Sequence, residues 1–162
     1  MDFMAPAIQR VQQVPIGSLF ILLHASKGNA ICFRATFNLS SDDEEYQRAV
    51  PLYWPGEPSS VGIPIYVSSL SGDAIVLSDA RLEVSPLTAT ATPGSLAAVY
   101  CREGRLFFPL NNNDRIGGLV DAETGEIEIS VRGHLVAFDK WFITVADDSR
   151  TRKVIFPVAV ED

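Results

Sequence analysis

The chain has 162 residues, 47% of them hydrophobic and 20% charged, a composition that excludes a disordered segment and fits one folded domain with a sizeable core. Twenty acidic against 13 basic residues leave a formal net charge of -7, which excludes a protein that coats itself with nucleic acid, so any such contact must be local. Two cysteines, Cys32 and Cys101, are too few for a disulfide scaffold and sit in apolar runs, where reduced core thiols are expected.

In chain order, the opening MDFMAPAIQRVQQVPIG lacks the charged start and continuous apolar run of a signal peptide. The longest apolar run, Leu19–Leu23, is too short to span a bilayer, so an intracellular protein without a membrane span is expected. Residues 1–15 read as an N-terminal extension of a single β-sandwich domain covering 1–162. A strand follows at Ser18–Ser26, and another over AICFRATFN, where Ile31, Phe33, Ala35 and Phe37 share one face. Between them SKGNA places Gly28-Asn29 at a tight joint. SSDDEEYQRAV is the one segment that reads as a helix, Ser41–Ala49: Ser41 and Glu44 stand in capping-box spacing, acids crowd the first turn and Pro51 stops the run. The sequon Asn38-Leu39-Ser40 just before it has no secretion signal to make it an acceptor.

PLYWPGEPSSVG, with three prolines and two glycines, predicts a long irregular crossover of the kind by which Greek-key and jelly-roll sandwiches change sheets. Strands are then expected at Ile63–Leu70, Ala74–Ser85, Leu96–Cys101, Arg105–Pro109 and Ile116–Val120. EIEISVR gives the clearest alternation, with Ile127, Ile129 and Val131 facing one way, and Trp141–Ala146 follows. VIFPVAV closes the series with Val154, Phe156, Val158 and Val160 on one face, and Pro157 makes it an edge or a terminus. CREGR and DAETGE supply Gly104 and Gly125 to further hairpin joints. About ten strands so joined predict an all-β, mainly antiparallel sandwich, expected to be a jelly roll, with one short connector helix.

Chemistry is sparse. His24 and His134 both lie in apolar strand contexts, where a satisfied strand histidine is expected; no nucleophile elbow, HExxH, CxxC or phosphate-binding glycine loop occurs. Asp121, Glu123 and Glu126 lack the length and ligand positions of an EF-hand and fit a solvated turn. No enzyme activity, cofactor or metal is expected. Positive charge concentrates in RTRK, where Arg150, Arg152 and Lys153 form either a solvated turn or a local nucleic-acid contact. Tyr53, Trp54 and Trp141 are candidate ligand or interface aromatics, able to stack on sugar or base or to bury their rings over a sandwich end.

The segment ARLEVSPLTATATPGSLAAVY joins an alternating strand, a Thr-rich extended connection and a Gly-Ser pair that opens a small-residue strand. Through Leu82, Val84, Ser85, Pro86, Thr88, Thr90, Thr92, Gly94, Ser95 and Leu96 it resembles the strand-loop-strand segment of small RNA-virus jelly-roll coat proteins. The resemblance implies a viral structural protein, a capsid subunit or coat-protein domain that acts by self-assembly into a homo-oligomer, located in the virion or host cytoplasm. Such proteins often carry a basic N-terminal arm, whereas Arg10 is the only basic residue among the first seventeen here, which fits an armless subunit, a protruding surface domain or a truncated chain. IVLSDAR is in turn similar to a strand of the plant-virus movement-protein superfamily, with Leu77, Asp79 and Arg81 on its Leu-x-Asp-x-Arg pattern, which implies single-stranded nucleic-acid binding. A carbohydrate-binding sandwich stacking sugar on Tyr53, Trp54 and Trp141 is the alternative of a different class.

Overall fold

Short runs of β-branched and aromatic residues punctuated by Gly, Pro, Asn and Asp have built a fold of strands and tight turns. The computed structural model describes residues 7–90, 95–146 and 151–157. The chain is an all-β protein of the sandwich class, and among the described residues every pairing between two strands is antiparallel, an isolated bridge of Thr36 to Glu126 alone being parallel. It forms two compact units, the first of residues up to Leu77 together with Thr124–Glu126, the second of Ser78–Glu123 and the residues from Ile127 on.

The first unit is one six-stranded sheet. Its strands are β1 (Ile8–Arg10), β2 (Leu19–Leu23), β3 (Ala30–Thr36), β4 (Gln47–Tyr53), β5 (Ile65–Tyr66) and β6 (Asp73–Val76), in the order β1-β6-β2-β3-β4-β5. The pairings Phe20↔Cys32, Leu22↔Ala30 and Leu22↔Ala74 align one inward row across three strands. Phe20, Leu22, Cys32 and Ala74 from that row pack with Val11, Val14, Trp54, Val67 and Leu70 into the core. The indole of Trp54 is 4% exposed, and its Nε1 donates to the carbonyls of Lys27 (3.2 Å) and Gly28 (3.1 Å), satisfying the one polar atom that burial would orphan.

The expected helix at Ser41–Ala49 is not there. Glu44–Tyr46 makes a single 3-10 turn and Gln47 begins β4. Ala49 and Val50, on opposite faces of the strand, are both sealed from solvent, and Arg48 lies with its guanidinium 3.7 Å from the centroid of Tyr66 and 4.9 Å from that of Phe37. Burial on both faces outweighs a capping pattern worth about 1 kcal/mol. Pro51, read as a helix stop, instead sits opposite Cys32 beside a register shift at Ile31/Cys32, where a residue without an N–H is tolerated in a sheet.

The second unit holds β7 (Arg81–Val84), β8 (Ala89–Thr90), β9 (Val99–Arg102), β10 (Arg105–Asn112), β11 (Arg115–Asp121), β12 (Ile127–Glu128), β13 (Val136–Phe138), β14 (Trp141–Ala146) and β15 (Arg152–Phe156). They form a six-stranded sheet, β12-β11-β10-β9-β13-β8, and a three-stranded one, β15-β14-β7. Glu103 and Gly104, both at positive φ, turn β9 into β10, as CREGR predicts. Tyr100, Phe107, Leu119, Leu135 and Ala137 make a core cluster. EIEISVR is far shorter as a strand than its alternation predicts: pairing ends at Glu128, and Ile129 and Val131 are 72% and 42% exposed. The expected strand Ala74–Ser85 is broken at a Ser78-Asp79 turn, with β6 in the first unit and β7 in the second. Val158 and Val160 of the last expected strand lie outside the described residues.

Candidate functional site

The inward row of β3 begins as core, with Ala30 and Cys32, and continues as Arg34 and Thr36. Alternation in AICFRATFN assigns Arg34 to the solvated face; instead it is 5% exposed, and Phe33 and Ala35 on the other face are buried too, so both faces of the strand are covered. The main chain of Arg34 is held on one side, its carbonyl accepting from Gly17 N–H (2.8 Å) and its N–H donating to Ser18 O (3.0 Å). Next to it Thr36 N–H donates to Gly125 O (2.9 Å). Gly125 is required there: its φ is +80°, and a Cβ would come within 2.8 Å of Arg34 O, Gly17 N and the side chain of Ile16.

Arg34 opens onto a cavity of about 440 Å³ within the first unit. Val14, Pro15, Ile16 and Val67 give it an apolar wall, and the acidic residues Asp42 and Glu44 also line it. Gln12 Nε2 donates to Val67 O and Leu70 O, both at 3.4 Å, fastening the segment before β2 to the turn before β6. Gln47 Nε2 donates to Ser41 O (3.0 Å) and Asp43 O (3.4 Å), fastening the acidic run and fixing which way the amide points.

The electrostatics are uncompensated. All side-chain hydrogen bonds of Arg34 run through Nη1, to Ala35 O (2.9 Å) and Arg48 O (3.3 Å). Its Nε and the Oε1 of Gln47 are buried without a partner, and among the described residues no carboxylate lies within 4.0 Å of the guanidinium. Burial pulls the Arg34 guanidinium below its usual value, because removal from water disfavours the charged form. Arg34 and Gln47, each with one buried unpartnered polar atom, line the same apolar-walled cavity, an arrangement that suits a polar small molecule.

The candidates legible in the sequence are dispersed. Arg150 lies outside the described residues. Arg152 donates from Nε to Thr144 Oγ1 (2.8 Å) and from Nη2 to Asp79 O (2.6 Å) and Thr144 O (2.9 Å), so its guanidinium is tied to its own unit, while Lys153 is exposed. Asp79 Oδ2 accepts from Ala146 N–H (3.1 Å), Leu77 N–H donates to Leu19 O (2.9 Å), and exposed Arg81 opens β7. Tyr53 is half-buried at the end of β4, beside buried Trp54. Trp141, in the second unit, is half-buried: its ring stacks on Phe156 at 4.7 Å, meets Phe108 edge-on at 5.7 Å and donates from Nε1 to Ala97 O (2.7 Å).

Neither histidine lies in a strand, contrary to expectation. His24 Nδ1 accepts from the N–H groups of Ser26 (3.3 Å) and Lys27 (3.1 Å), closing the β2–β3 turn, and His134 is exposed before β13. Among the described residues no three His, Cys, Asp or Glu side chains are grouped to hold a metal ion, and no helix is long and apolar enough to cross a membrane. Asp121 Oδ2 pairs with Arg105 (2.5 Å) and its Oδ1 accepts from Glu123 N–H (2.9 Å), so this carboxylate braces a turn. In the second unit Arg102 donates from Nη2 to both carboxylate oxygens of Glu128 (2.8 and 2.7 Å) and from Nη1 to Arg132 O, completing a polar groove with no unpaired buried charge among its described members. No known protein family, curated protein sequence or solved structure matches the chain.

Proposed function

We propose that the chain is a non-enzymatic structural subunit that works by self-association, and that its role is that of a viral coat protein or coat-protein domain of jelly-roll type. One observation supports the self-association: large apolar side chains are exposed on or beside the edge strands of the sheets. Exposed Ile8 lies on edge strand β1, Tyr66 on β5 and Val154 on β15, Ile129 directly follows edge strand β12, and Leu87, 99% exposed, stands two residues before edge strand β8. Among the described residues, an exposed apolar side chain thus stands on three of the six edge strands and beside two more. Monomeric proteins blunt such edges with charge, proline or cover, and edges left this way are templates for a second chain. The viral form of the role rests on the likeness over Leu82–Leu96. Within it Pro86–Thr88 makes a 3-10 turn, Ala89–Thr90 is a short strand, and Thr92 and Gly94 lie outside the described residues.

Sedimentation velocity over a wide concentration range tests this. Oligomers are expected, and Leu87→Lys with Ile129→Lys should shift them to monomer without lowering the melting temperature, since both side chains already face solvent. A chain that stays monomeric at every concentration and salt would sink the reading.

A further inference from the structure

Beyond that reading, we infer that the cavity around Arg34 is a binding site for a small zwitterion of the α-amino-acid type, its carboxylate on the guanidinium of Arg34 and its ammonium toward Gln47, Asp42 and Glu44. Three observations converge. The Arg34 side chain is 95% buried by its 5% exposure, yet its Nε is unpartnered and its hydrogen bonds leave the guanidinium only through Nη1. The edge opposite Nη1 is the one that takes a carboxylate in bidentate fashion. Gln47 Oε1, also buried and unpartnered, needs a donor, because its amide nitrogen is already committed to Ser41 O and Asp43 O.

Charge then selects the class. A phosphate or a dicarboxylate would satisfy Arg34 but would meet Asp42 and Glu44, which share the cavity lining and have no cationic partner within 4.0 Å among the described residues. A molecule with one negative and one positive group answers both ends. Val14, Pro15, Ile16 and Val67 provide the wall for an aliphatic or aromatic side chain, and about 440 Å³ is room enough for a molecule of that size. A buried cation without a counter-ion costs stability, and a ligand carboxylate at Arg34 would offset that cost.

The test titrates the full chain with each of the standard amino acids at millimolar concentration, following the ¹⁵N–¹H resonance of Arg34 Nε, assigned by its loss in Arg34→Lys. At least one amino acid should move that resonance saturably. Its amide, which lacks the carboxylate, should bind at least tenfold more weakly, and so should its des-amino analogue. Asp42→Asn with Glu44→Gln, both at exposed positions, should weaken the amino acid several-fold while leaving the des-amino analogue unchanged or tighter. Arg34→Met should abolish binding and melt no lower than the wild type. The inference is overturned if no amino acid moves the resonance, if inorganic phosphate binds as well as the best of them, or if amide and acid bind alike. It is also overturned if Arg34→Met unfolds the chain while the wild type shows no titration, since Arg34 would then be a structural group only.

Discussion

Burial decides the chemistry of single residues in this chain more than their type does. Cys32 is sealed in the core of the first unit, and removal from water pushes its thiol up from 9.0 to about 12, while Cys101 is only half-buried. The thiolate is therefore disfavoured in the folded state. Because the folded value lies above the unfolded one, the contribution of Cys32 is fully present below pH 9.0 and is lost as pH rises toward 12, at about 1.4 kcal/mol per pH unit. Cys32→Ala should accordingly flatten the fall of urea-unfolding stability between pH 9 and 11, at a cavity cost that is independent of pH. In a thiol-titration assay at neutral pH, Cys101 should react first and Cys32 only after denaturant is added. Equal reactivity of both thiols in the folded chain would contradict this. That both cysteines sit in apolar runs is legible in the sequence; that Arg34 shares the inward row with Cys32 is not. Alternation reports two faces, and a strand buried on both gives the charged residue no distinguishing position. The available signal was a lone arginine inside an otherwise uncharged strand, AICFRATF, which is the pattern of a paired or ligand-bound charge.

Strands, turns and their joints follow local chemistry where the turn is tight and lose it where tertiary burial intervenes. Gly28, Gly104 and Gly125 mark real hairpin joints, and the Glu103-Gly104 turn needs only its own two residues. Ser41–Ala49 fails as a helix because its capping pattern governs one turn, whereas the seven residues of β4 are fixed by neighbours distant in sequence, Thr36 opposite Gln47 and Tyr53 opposite Ile31. EIEISVR fails in the other sense: a perfect alternation has no partner strand beyond Glu128, so its last apolar residues stay in water. The turn at Gly125 also links element geometry to the Arg34 cavity. Gly125→Ala would force a side chain at φ +80° into atoms 2.8 Å away, among them the Arg34 carbonyl. A loss of about 1–3 kcal/mol in urea unfolding is expected. Binding at Arg34 should weaken in parallel, whereas Gly104→Ala, whose Cβ meets nothing within 4 Å, should bear only the milder cost of its positive φ and leave binding intact. Equal effects of the two substitutions would show that the close approach at Gly125 is slack.

At the scale of the whole molecule the excess of acid is the property that the proposed assembly would have to contend with. The formal charge of -7 is legible from composition, but its placement is not. Asp42, Asp43, Glu44 and Glu45 are all exposed, and none is in an ion pair among the described residues. Their field is felt locally, since the charge of Glu45, followed by its hydrogen bond, raises the Tyr46 phenol above its usual value. Wherever a symmetry axis brings two copies of this run together, like charges meet, and the attraction between apolar sheet edges is opposed. Salt shortens the reach of that repulsion from about 30 Å at 0.01 M to about 3 Å at 1 M, and acid neutralises carboxylates outright. Oligomers should therefore form more readily at about pH 5 or in molar salt than at pH 8 in dilute buffer. Replacing Asp42 and Asp43 by Asn and Glu44 and Glu45 by Gln should remove most of that dependence. The fold should survive, because the run forms one 3-10 turn and Gln47 grips it through the main-chain carbonyls of Ser41 and Asp43, which the substitutions leave in place. Sedimentation velocity of both proteins across pH and salt decides the matter. If the wild type and the neutral variant associate alike under every condition, the acidic run lies away from any contact between copies, and its charge serves the mouth of the Arg34 cavity alone.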